Sequence, residues 1–352
     1  MKAQKVPDAP GLDLAQAVGI LCGAVEARAP EARAERRLGE VMALFADDLA
    51  WVERELAAQV EVGPVPATDA ARHLTGLGGK RLRPLALLLS AACFGKIPPA
   101  ARELAVVAEL VHSATLLHDD VIDDGAERRG RPSSRVLWGN AVSVLSGDLL
   151  LTHALDRTQR NAPEVMSDLI TTLRRLVEGE IIQLRGRVEL DVSEATYERI
   201  LRDKTASLFA WATRTGARLS GADAEAQAAM SRFGEELGFA FQLVDDVIDY
   251  RGPESGKSLL TDLKEGKLTL PLVLAVARRP ELAVPLGRIF AGDREPVAAV
   301  SRTVVECGAC DEVRSRARAH TRRAIEALEA VAKSPARSLL ESVAGELAER
   351  AA

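Results

Sequence analysis

The sequence predicts a single all-α fold, and three observations carry that expectation. Apolar-periodic segments run roughly 20 to 30 residues between breaks, too long for strands. Glycine and proline cluster at the breaks, at Gly63–Pro66, Pro98–Pro99, Arg131–Pro132, Asn161–Pro163, Gly252–Pro253 and Arg279–Pro280, where they stop helices. Aromatic residues make up only 3% of the chain while Ala, Leu, Arg and Glu dominate, a bias towards helix, and no sustained period-two alternation argues for a sheet.

Taken in order, residues 1–36 read as a Pro- and Ala-rich extension with one candidate helix that Pro30 closes. Lys2 and Lys5 ahead of the apolar stretch Ala15–Val25 imitate a secretory signal, but Asp8 and Asp13 interrupt the approach, and the stretch reads equally well as a helix face. Residues 37–352 are expected to form one domain, because no linker rich in Gly, Ser or charge divides the helical segments. The tail, Val313–Ala352, reads as two helices broken near Ser334–Pro335. The longest apolar run beyond the extension, Leu85–Gly95, is far short of the ~20 residues a membrane span needs, so a cytoplasmic protein is expected. A net charge of −5 gives no electrostatic case for nucleic acid. Four cysteines (Cys22, Cys93, Cys307 and Cys310) are too few and scattered for a disulfide framework, and Cys307-Gly-Ala-Cys310 has no second CxxC or histidine cluster beside it.

One five-residue phrase occurs twice, as Asp119-Asp120-Val121-Ile122-Asp123 and as Asp245-Asp246-Val247-Ile248-Asp249. In a helix its first and fifth residues share a face, which puts carboxylates where the surrounding Leu, Val and Phe would otherwise form core. Two carboxylates ~6 Å apart repel by about 3 kcal/mol at an effective dielectric near 20, so they call for a cation. Oxygen donors without a thiolate or imidazole cage suit Mg²⁺, which keeps several waters and shares itself with substrate phosphates. One DDxxD alone reads equally well as a solvated acidic face; the identical pair inside apolar helices favours a two-sided magnesium site.

Cationic stretches accompany both copies. In Gly78-Gly79-Lys80-Arg81-Leu82-Arg83-Pro84 the glycines belong to a loop, and Lys80 and Arg83 flank a helix N-terminus, a ready anion site. The spacing is not that of a Walker loop, and such a loop taken alone is usually just solvated. Arg128 and Arg129 sit in a loop after the first aspartates and can fork onto phosphate oxygens. His112 lies two turns before Asp119 on roughly the same face. Lys204-Thr205-Ala206 interrupts an apolar helix, where the competing reading is a snorkelling surface lysine. Gly256-Lys257-Ser258 through Lys264-Glu265-Gly266-Lys267 forms a basic loop after the second aspartates.

The order GGKRLRP, LLHDDVIDD…RRG, KTA, FQLVDDVID and GK…DLKEGK…TLP resembles the trans-isoprenyl (polyprenyl) diphosphate synthases over about residues 37–352, and in motif form the octaprenyl-type enzymes in particular. The resemblance implies an all-α bundle of the isoprenoid synthase type around a central apolar cavity, usually a homodimer. It implies that Asp119, Asp123 and Asp245 hold Mg²⁺, three ions per site, with Asp120, Asp246 and Asp249 in support. Arg128, Lys204, Lys257 and Lys267 are then expected to contact an allylic diphosphate. Lys80, Arg83, His112 and Arg129 are expected to bind isopentenyl diphosphate, with Thr205 and Gln242 close to the reacting carbons. Ionisation of the allylic diphosphate, attack by isopentenyl diphosphate and loss of a proton lengthen the chain by five carbons. In this family bulky residues just upstream of the first motif stop growth. Here Ala114, Thr115, Val111 and Val107 are small or aliphatic, so a product near C40 is expected, with C15–C20 the alternative, and peripheral membrane contact for its release. A terpene cyclase needs neither GGKRLRP nor a second DDxxD, and a non-catalytic subunit would lack some of these aspartates or cations.

Overall fold

The computed structural model describes residues 39–191, 193–250 and 260–349; the extension, Cys22 and Lys257 lie outside the described residues. Residues 39–44 are helical, and α1 (Ala46–Gln59), α2 (Ala67–Gly76), α3 (Leu82–Ala92) and α4 (Pro99–Ile122) follow. Pro98–Pro99 starts α4, as suits a residue whose missing N–H costs nothing in a first turn.

The segment after α4, read from sequence as a loop, is a two-strand antiparallel hairpin, β1 (Glu127–Arg128) with β2 (Arg131–Pro132). Its turn residues Arg129 and Gly130 both have positive φ, 53° and 72°, the combination a tight two-residue hairpin turn requires. Helices α5 (Ser134–Asn161) and α6 (Met166–Glu189) follow. Next comes α7 (Glu194–Leu201), whose first turn is capped by the Ser193 hydroxyl accepting from the Thr196 amide at 3.2 Å. Lys204 and Thr205 do not continue a regular α-helix: Arg202–Ala206 is a π-helical turn between α7 and α8 (Ser207–Leu219). Helix α9 (Ala224–Ile248) is capped by the Asp223 carboxylate, 2.8 Å from the Ala226 amide. The rest comprises α10 (Thr261–Lys264), α11 (Leu270–Arg278), α12 (Ala283–Phe290), α13 (Val297–Glu306), α14 (Ala309–Ala327) and α15 (Pro335–Glu349), the last two either side of the expected break at Ser334–Pro335.

The core has two parts. One packs α1, α3, α4 and α8 together through Leu56, Leu87, Leu104, Leu117 and Phe209. The other gathers the C-terminal half of α9 with α11, α13 and α14 through Leu243, Val247, Leu272, Val300 and Val313. Helix α8 sits between α3 and α9 at a separation only glycine permits. A Cβ on Gly216 would fall 2.2 Å from the Leu87 carbonyl oxygen, and one on Gly234 would fall 2.5 Å from that of Phe209. This close packing holds α4 and α9, the carriers of the aspartates, in one layer system. Among the described residues no helix is long and apolar enough to cross a membrane.

Candidate active site

Both aspartate phrases end their helices. Asp123 caps the C-terminus of α4 and Asp249 that of α9, so the carboxylates stand where the helix dipole is already negative. Such ends need cations, and the surrounding elements bring them.

From the π-helical turn, Lys204 reaches Asp119 with Nζ 3.6 Å from Oδ2 and also pairs with Glu180 of α6. A π-bulge turns side chains out of the regular helical register, and such bulges recur at functional sites. The turn lies flush on α6: a Cβ on Gly179 would be 2.9 Å from the Lys204 amide nitrogen. From the segment before α11, Lys267 sits 3.0 Å from Asp123 and 2.6 Å from Glu265. Arg187 of α6 pairs with the other oxygen of Asp123. Burial alone would raise the Asp123 carboxyl, but Lys267 and Arg187 hold it below the usual carboxylate range. Burial works against the Lys267 ammonium, yet Asp262, Asp123 and Glu265 hold its pKa above the ordinary lysine value.

The middle aspartates have other partners. Asp120 is buried, with Oδ1 accepting from Arg128 at 2.7 Å while Oδ2 has no partner among the described residues; burial raises its carboxyl despite that arginine. Asp246 is buried and accepts from Tyr197 Oη at 2.7 Å, Gln242 Nε2 at 2.9 Å and the Leu270 amide at 3.3 Å. Burial, with Asp262 next, pushes it up to about 7 against these three donors. Asp249 accepts from the amides of Thr261 and Asp262, at 3.1 and 3.2 Å, and so holds α10 against the end of α9. Thr205 donates to Gln242 Oε1 at 3.2 Å, completing a chain from the π-helical turn through Gln242 to Asp246.

A second group lies beside the first. Burial most of all, then Arg83, Arg128, Arg129 and Arg81, holds His112 well below the ordinary histidine value, so it is a neutral ring amid four cations. Arg83 lies over the Phe209 ring, 4.7 Å from its centroid. Burial brings Arg83 down to about 10 although Glu109 and Asp245 pull the other way, which places it in the field of the second aspartate set. Arg129 reaches back from the hairpin to the Leu77 carbonyl at 3.5 Å, and its pKa is lowered by burial and then by Arg81. Exposed Lys80 stands in the same loop. Arg81 does different work: it is buried, in the left-handed region at φ 46°, and paired with Glu53 and with Glu109 at 2.6 Å, so it anchors the loop.

The structure therefore brings Asp119, Asp123, Lys204, Thr205, Gln242, Asp246 and Lys267 into one connected set, with Arg83 and His112 next to it. Sequence reasoning missed Glu180, Arg187 and Tyr197. Glu180 and Arg187 are two turns apart on α6, the same spacing that singled out His112 before Asp119, and that signal was available in the sequence. Tyr197 carried none, because its partner is remote in sequence.

Among the described residues, no three His, Cys, Asp or Glu side chains converge closely enough to cage an ion on their own. The donors nonetheless fit a hard divalent ion that completes its shell with water and phosphate oxygens: they are carboxylates, and one buried oxygen, Asp120 Oδ2, lacks a partner.

The polyprenyl synthetase family model matches residues 66–307. The chain is 34% identical to the all-trans-nonaprenyl-diphosphate synthase (geranyl-diphosphate specific) of Rhodobacter capsulatus, over 86% of this chain and 94% of that one. It is equally, at 34%, identical to the short chain isoprenyl diphosphate synthase of Methanothermobacter thermautotrophicus, over 82% of this chain and 92% of that one. Among solved structures, the polyprenyl synthase from Caulobacter crescentus, complexed with calcium and isoprenyl diphosphate, matches with a TM-score of 0.84 at 35% identity, covering 90% of this chain and 98% of that chain.

Proposed function

This chain belongs to the polyprenyl synthetase family and is a trans-prenyl diphosphate synthase with the all-helical isoprenoid synthase fold, and from that premise we propose how its residues divide the work and how long a product they make. Its substrates are isoprenoid diphosphates and it uses a divalent metal, which we take to be Mg²⁺ in three sites held by Asp119, Asp123 and Asp245. The observation that carries this division is the meeting of Lys204 with Asp119 and of Lys267 with Asp123, cation against carboxylate at the ends of the aspartate helices.

Arg128, Lys204 and Lys267 bind the allylic diphosphate, together with Lys257. Bound magnesium supplies the charge that stabilises the departing diphosphate. Lys80, Arg83, Arg129 and neutral His112 hold isopentenyl diphosphate alongside, so its double bond meets the allylic carbon without a diffusional search. The hydroxyl of Thr205 and the amide of Gln242 place dipoles near the reacting carbons. Apolar walls keep water from the carbocation. Asp120, Asp246 and Asp249 act in support: their hydrogen bonds hold Arg128, Gln242 and α10 in place.

Product length rests on α4. Ala114, Val111 and Val107 are buried on the helix that leads to Asp119, and none is bulky. That favours a medium- to long-chain product near C40. The two relatives above differ in product length at equal identity, so identity does not decide the matter. The catalytic unit is residues 37–352, and peripheral membrane contact receives the hydrocarbon product.

A homodimer is the assembly we infer. Val136, Leu137, Val144 and Leu145 on α5 and Val177, Ile181 and Val188 on α6 are exposed, Val188 at 86%. Neighbouring apolar stripes on two long helices suit a second copy of the same chain.

Incubating the protein with Mg²⁺, labelled isopentenyl diphosphate and dimethylallyl, geranyl, farnesyl or geranylgeranyl diphosphate in turn should yield products near C40. Asp119→Ala and Asp245→Ala should each lower turnover by about two orders of magnitude or more with helix content unchanged by circular dichroism; near-normal turnover in both removes the metal assignment. Ala114→Phe should shorten the product in the same assay, and an unchanged length refutes the argument from α4. Sedimentation should give the mass of two chains, shifting to one in a Val177→Glu/Ile181→Glu double variant; a single-chain mass for the wild type rules out the dimer.

A further inference from the structure

Among the described residues Asp123 pairs with two cations, Lys267 and Arg187, and they differ. Lys267 is shared with Glu265 and Asp262, at 2.6 and 3.6 Å, so its charge is already balanced. Arg187 pairs with Asp123, and its Nε is buried with no hydrogen-bond partner among the described residues. A buried guanidinium N–H left without an acceptor beside a phosphate site is a donor awaiting one. The Arg187 side chain also borders a cavity of about 580 Å³, lined in addition by Ile122, Lys264 and Phe290, which gives the guanidinium open space beside Asp123.

We propose that Arg187 is an exchangeable counter-cation: it holds Asp123 until the diphosphate arrives, then passes the carboxylate to the metal and takes a phosphate oxygen itself. The inference rests on the assignment of Asp123 as a metal ligand made above. Its consequence is that a divalent ion alone binds poorly, since it competes with a resident guanidinium for the same carboxylate. Diphosphate relieves that competition by offering Arg187 another anion. Metal and diphosphate therefore each tighten the other's binding by the same factor.

Mn²⁺ affinity, read by electron paramagnetic resonance, tests this with and without inorganic diphosphate. Arg187→Met should bind Mn²⁺ alone roughly tenfold more tightly than the wild type and show a correspondingly smaller gain on adding diphosphate, a factor within the usual range of coupling between two ligands. Arg187→Lys, which keeps the charge, should stay near the wild-type values. Arg187→Gln serves as a second neutral variant if Arg187→Met does not fold. Neutral variants that bind Mn²⁺ alone no more tightly than the wild type overturn the proposal. Asp123→Asn separates the two ideas: undiminished Mn²⁺ binding in the presence of diphosphate shows that the metal assignment has failed, whatever the Arg187 variants do.

Discussion

Carboxylates gathered at the C-terminal ends of two central helices are the constraint from which the other features of this molecule follow. Each end is negative twice over, through its aspartates and through the helix dipole. Such an arrangement is stable only if cations are delivered to it from elsewhere in the chain. Lys204, Arg128, Arg187 and Lys267 come from four separate elements, and three of those elements have a local device that aims the side chain. The π-helical turn aims Lys204, the positive-φ turn at Arg129–Gly130 brings Arg128 back over Asp120, and the Asp249 carboxylate folds α10 so that the segment bearing Lys267 returns to Asp123. In this sense Asp120, Asp246 and Asp249 build the site, by holding Arg128, Gln242 and α10 in place.

Close helix packing supports the same end. Gly179, Gly216 and Gly234 lie where a side-chain carbon would meet the atoms of a neighbouring element at under 3 Å. Without those contacts α6, α8 and α9 would stand further apart, and Thr205 would no longer reach Gln242. Catalytic geometry here depends on helix spacing as much as on the charged groups themselves.

Much of this was legible in the sequence. Apolar periodicity and the Gly/Pro breaks identified the helical fold, and the repeated DDVID phrase located both acidic ends because the chemistry that needs it is written in consecutive letters. Two helical turns put His112 on the face of Asp119, and it lies in the field of Arg83, Arg128, Arg129 and Arg81. What remained hidden depends on contacts between residues far apart in sequence. That Asp246 answers to Tyr197 and the Leu270 amide, or that Asp249 caps α10, follows from tertiary packing and has no local pattern. The hairpin was hidden for a different reason: Arg129 occupies a left-handed position usually filled by Asn, Asp or Gly. The π-helical turn at Lys204 has no sequence signature at all.

The proposed chemistry requires the two acidic helix ends to act together on one diphosphate. Anomalous diffraction from crystals grown with Mn²⁺ and a slowly ionising allylic thiodiphosphate addresses that directly. Manganese peaks lying between the diphosphate and the carboxylates of both Asp119 and Asp245 are the predicted result. Peaks on one helix end alone, or a diphosphate bound away from both, would contradict it.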